Sequence, residues 1–156
     1  MVPGYRESRR LEGEYILNEN DVRANRVFED AVAYGGWPMD VHVPGGIRDL
    51  NSYGSKVYNF EGCYTIPYRC YVSRDVDNLM MAGRGISTSK MAFSSTRVMG
   101  TCAVGGQAVG TAAALAIRYG CTPKQVGEQH IRELQQELMK NDCYLPGFAN
   151  EDEADM

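Results

Sequence analysis

The sequence predicts a mixed α/β fold, an α+β arrangement with strand-like segments in the first half and helices in the second. Three observations carry this. Arg9 to Leu17 alternates at period two, with Leu11, Gly13, Tyr15 and Leu17 on one face and Arg10, Glu12, Glu14 and Ile16 on the other. Val57 to Val72 is rich in aromatic and branched side chains, the composition of strands. Cys102 to Ile117 is a helix-length run made mostly of alanine and glycine, and an amphipathic stretch follows it.

Taken in order, the first strand-like segment ends at Asn18, which with Asp21 three residues on reads as a helix start. A helix, continuous or broken in its middle, is expected from Glu19 to Tyr34, with Val27, Phe28, Ala31 and Val32 as its buried stripe and Gly35-Gly36 as its end. Trp37 to His42 is extended, because Pro38 disfavours helix in the residue before it. Pro44 to Gly54 is a loop. Val57 to Val72 follows as strand, with Pro67 marking an edge or a bulge. Tyr64, Ile66, Tyr68 and Cys70 lie on one side of it, and Thr65, Arg69 and Tyr71 on the other. Asp75 to Asn78 turns the chain into Leu79 to Ala82, an apolar run too short for a helix and read as a buried strand ending at Gly83.

The small-residue helix comes next. Glycine inside a helix costs roughly 1 kcal/mol against alanine. Gly105, Gly106 and Gly110 therefore need a reason, either close packing or a bound molecule. Thr122-Pro123-Lys124-Gln125 is a capping arrangement that opens the last helical region. Gly127 divides that region, and His130, Ile131, Leu134 and Leu138 form the apolar side of its second piece. Glu128 pairs with Arg132 there, and Leu145-Pro146-Gly147 closes the ordered part.

Composition bounds the function. A chain of 156 residues with 44% hydrophobic content buries one modest core, as one domain or a piece of a larger one. The net charge of -4 arises in the terminal EDEADM, a solvated tail, and no basic surface for nucleic acid is present. Five cysteines form no CxxC pair and no metal-ligand spacing with His42 and His130, so free thiols in a reducing compartment are expected and no metal. MVPGYRESRR lacks the apolar core of a signal peptide, which makes the cytoplasm the default location. Cys102 to Tyr119 is read as too short and, at Gln107 and Thr111, too polar to span a membrane.

The order NLMMAGRGIS, then SSTRVMGTCAVGGQAVGTAAAL, resembles the C-terminal segment of FAD-dependent oxidoreductases of the glutathione-reductase-like flavoprotein superfamily. RESRRLEGEYILNENDV, FEDAVAYGGWPMDVH and YTIPYRC are similar to the same subgroup, so the resemblance covers the chain to about Gly147. It implies three parts. Residues 1–75 are the C-terminal part of a substrate-binding region, 76–147 supply the last strand and helix of a Rossmann-like FAD-binding domain, and 148–156 are the acidic tail.

The resemblance also implies site residues. Gly83 meets the ribityl chain and pyrophosphate of FAD, and Arg84, where many relatives carry an acid, pairs with the pyrophosphate. Met99, Gly100, Thr101 and Cys102 present a helix N-terminus, with roughly half a positive charge, to the electron-rich pyrimidine side of the flavin. Arg97 stabilises an anionic substrate or the flavin, or is an ordinary loop arginine in a salt bridge. His42 is an acid or base near the flavin, or a loop histidine. Tyr68 and Arg69 line a substrate cavity, or lie on a sheet surface. Cys102 is a thiol whose pKa the helix start lowers, or packing. The histidine that many relatives carry just before the arginine is replaced here by Phe93, Ser94 and Ser95.

No GxGxxG fingerprint for the ADP half of FAD occurs in these residues. The expectation is a C-terminal fragment of an enzyme that transfers a hydride from a small organic substrate to FAD. Alone it binds FAD weakly or not at all, needs the N-terminal half as partner, and self-associates. The alternative is a non-catalytic, self-associating structural module.

Overall fold

Asn18 starts the first helix by accepting hydrogen bonds from the amides of Asn20 and Asp21, while the Asp21 carboxylate accepts from the Asn18 amide. In this computed structural model, which describes residues 9–45, 48–51 and 53–151, the helix α1 (Glu19–Arg23) then ends after five residues. The expected continuation to Tyr34 is overturned. Asn25 takes a positive φ of 48°, and the Arg26 carbonyl accepts from the amide and hydroxyl of Thr65. Ala31 to Gly35 has a strand partner available, and pairing prevails over its helical spacing.

Among the described residues, four short strands form two antiparallel pairs. β1 (Ala31–Gly35) pairs with β4 (Tyr64–Pro67) in the register Ala33 to Ile66 and Gly35 to Tyr64, with a bulge between Ala31 and Ala33 opposite Pro67. β2 (Met39–His42) pairs with β3 (Ser55–Tyr58), His42 opposite Ser55. The single strand expected over Val57 to Val72 is thus β3, β4 and a 3₁₀ turn at Tyr68–Cys70, separated at Gly62, whose φ is +84°. The expected alternation along β4 fails because all four of its residues are buried. The described part of the Pro44 to Gly54 loop contains no strand, and Gly46, Ile47 and Ser52 lie outside the described residues.

Two further strand expectations are corrected. Arg9 to Leu17 makes only single bridges, Gly13 to Ser73 and Leu17 to Thr88, although Gly13 and Leu17 are buried and Ile16 is exposed as the alternation required. Leu79 to Ala82 reduces to one bridge between Met80 and Val72, and Leu79 and Met81 are each 38% exposed. Its backbone bonds go to the turn at Tyr71 to Ser73 and, from Leu79, to Val76, and neither partner is long enough to extend a ladder.

The second half is helical: α2 (Lys90–Thr96), α3 (Met99–Tyr119), α4 (Pro123–Gln129) and α5 (Ile131–Lys140). α2 packs on β2, and α3 packs on β1, α4 and α5. Thr122 and Gln125 form the expected capping box. The break between the last two helices falls at His130, not Gly127, because Gly127 is needed inside α4 against a tyrosine ring. Arg132 pairs with Glu151 rather than Glu128, so ordered contacts continue past Gly147. The tail beyond Glu151 lies outside the described residues. All five cysteines are free thiols.

The core is organised by three buried tyrosines, each ring lying on a glycine. A Cβ on Gly35 would meet the Tyr64 hydroxyl at 2.5 Å, one on Gly105 the Tyr71 hydroxyl at 2.7 Å, and one on Gly127 the Tyr68 ring at 2.8 Å. Two of the hydroxyls are satisfied, Tyr64 with Ser95 at 2.7 Å and Tyr68 donating to the Pro123 carbonyl at 2.9 Å. Tyr71 has no partner for its hydroxyl. The glycines of α3 are therefore of two kinds. Gly105 joins Thr101, Ala108, Ala112 and Leu115 on the buried face, whereas at Gly106 and Gly110 an added Cβ would meet nothing within 4 Å. At 21 residues α3 is long and apolar enough to cross a membrane, so its length does not exclude a span. One of its faces is committed to the protein core.

Candidate functional site

α3 begins without a side-chain cap. Val98 occupies the cap position in extended conformation without a side-chain cap bond, because Val98, Met99 and Gly100 have no side-chain oxygen. The first helical bond runs from the Cys102 amide to the Val98 carbonyl. The amides of Met99, Gly100 and Thr101 find no acceptor among the described residues, in line with the general state of helix starts. Met99 is 89% exposed, and a Cβ on Gly100 would meet nothing. The end is open as well as uncapped.

A 3₁₀ turn at Gly83–Gly85 packs against α3. Gly83 has a φ of +74° and open space where a Cβ would stand. Arg84 is exposed, and its charge acts on the Cys102 thiol. Burial pushes that thiol up and Arg84 opposes it, with burial the larger effect. Cys102 is thus kept protonated, its Sγ directed at the Thr96 carbonyl 3.6 Å away, which agrees with packing rather than reactivity. The structure therefore brings Gly83, Arg84, Met99, Gly100, Thr101 and Cys102 together.

Arg97 and His42 meet in a second place. Arg97 caps the C-terminus of α2, two residues ahead of α3. Its Nη2 donates to the Asp40 carbonyl at 2.9 Å and lies 3.5 Å from Asp40 Oδ2. His42, at the exposed end of β2, lines the same narrow crevice of about 10 Å³ together with Asp40 and Lys90. Asp40 Oδ1 is buried there without a hydrogen-bond partner.

Tyr68 and Arg69 lie elsewhere. Both line an open cleft of about 670 Å³ between the Arg26 to Asp30 segment and α4. Arg69 is held by Asp30 through two side-chain bonds of 2.9 and 3.1 Å and stands over the Tyr15 ring. The Tyr68 hydroxyl ends at Pro123, three residues beyond the C-cap of α3. A 21-residue helix is about 31 Å long, so the Pro123 side of this cleft stands at the end of α3 opposite its open start.

Sequence reading missed Asp40 and Asp30, the partners that orient Arg97 and Arg69. Neither had a local signal, since they stand 57 and 39 residues away in sequence. Lys90 was missed for the same reason: only the packing of α2 on β2 brings it beside His42.

A family model described as FAD dependent oxidoreductase matches residues 1–138. No curated protein and no solved structure matches the chain. The match spans both the α3 start with its glycine turn and the Arg97 crevice, and on it the chain belongs to the FAD dependent oxidoreductase family, whose cofactor is FAD.

Proposed function

We propose that the chain is the C-terminal part of an FAD-dependent oxidoreductase of the glutathione-reductase-like superfamily. Residues 1–75 come from the substrate-binding region, 76–147 from a Rossmann-like FAD domain, and 148–156 form its tail. The observation that carries this reading is the open, uncapped start of α3 beside the Gly83–Gly85 turn. The residues fit the cofactor. Three free amides and a positive helix end suit an electron-rich ring, and neither Gly83 nor Gly100 has a neighbour that would block its approach.

When bound, FAD supplies a hydride acceptor for a small organic substrate. The amides of Gly100 and Thr101 would favour negative charge on the pyrimidine side, and Arg84 would pair with the pyrophosphate. Arg97, fixed by Asp40, would stabilise an anionic substrate or the ring, and His42 would move the accompanying proton. The ADP half needs a phosphate-binding loop that these residues do not contain, so the N-terminal half is the required partner and the chain alone binds FAD weakly.

Absorbance of the purified protein that includes the upstream half tests this. It is yellow, and Gly100→Val lowers FAD occupancy about tenfold, equivalent to ~1.4 kcal/mol, with the circular dichroism unchanged. Colourless protein that FAD cannot reconstitute rejects the reading and favours a non-catalytic module. That second reading has its own support in the open side of α3 at Gly106 and Gly110, where a second copy would pack. Light scattering of the isolated chain shows self-association if the α3 side is a covered face; a monomer at high concentration counts against it.

A further inference from the structure

We draw no further inference here: the strongest candidate, the outer face of α3 on which Ala103, Gly110, Ala114 and Ile117 stand exposed, is an unpartnered apolar face, and nothing in the structure shows what covers it.

Discussion

At the scale of single residues, the pairing of tyrosine rings with glycines sets sharp limits on substitution. Gly105→Ala drives a methyl into the Tyr71 ring, at 2.7 Å from its hydroxyl and 2.8 Å from a ring carbon. It is expected to cost about 1–3 kcal/mol, read from the shift of a denaturant midpoint. The same change at the adjacent Gly106 meets open space and should gain roughly 0.5–1 kcal/mol through helix propensity. The two neighbours therefore move the midpoint in opposite directions. Tyr71→Phe removes a buried hydroxyl that has no partner and is expected to be neutral or stabilising by up to about 1 kcal/mol. Glycine in the helix signalled that something approached closely, and for Gly105 that something is inside the chain. Which glycine served packing was not legible, since the answer depends on Tyr71 arriving from a turn 34 residues away.

At the scale of elements, the ends written by local chemistry were legible and the ones decided by distant partners were not. Asn18 with Asp21, and Thr122 with Gln125, announce their helices because the capping bonds lie within three residues. The start of α3 was legible too, from the small-residue run after Arg97. Ala31 to Gly35 was misread because its apolar spacing suits a helix, and only Tyr64–Pro67 makes it a strand. Leu79 to Ala82 was misread in the opposite sense, since its composition suits a strand but its backbone partners are turn residues. For the site, the glycine turn and the α3 start were readable and adjoin each other, while the Asp40 contact of Arg97 was not. Asn18→Ala deletes both capping bonds of α1 and is expected to cost about 1 kcal/mol, which in a domain of this size lowers the melting temperature by roughly 3 °C. Asp21→Ala costs more, because its carboxylate also accepts from Tyr15 and Arg26, and scanning calorimetry should rank the two in that order.

At the scale of the whole molecule, a core built on tyrosine and cysteine makes stability depend on alkaline pH. Burial pushes Tyr64 up from an ordinary 10.0 to about 12, a hydrogen bond to Ser95 opposing the shift. Tyr68, Tyr71 and Cys70 are likewise raised by burial. With the folded values above the unfolded ones, the folded chain binds more protons once the unfolded chain starts to lose its own, so unfolding becomes easier as pH rises. Stability attributable to these groups is complete below about pH 9 and falls as pH climbs from there through 12. Tyrosinate absorbance followed against pH should show a late, cooperative step coinciding with loss of helical circular dichroism; smooth titration near pH 10 with the fold intact would contradict it. One detail of this core supplies an observer of its own. The Ser95 hydroxyl that faces Tyr64 also donates to the carbonyl of Trp37, the chain's single tryptophan, on the connector between β1 and β2 and 52% exposed. Indole fluorescence from this position reports on one joint, the junction of the two strand pairs with α2, so its emission spectrum tracks the opening of that joint without any added label.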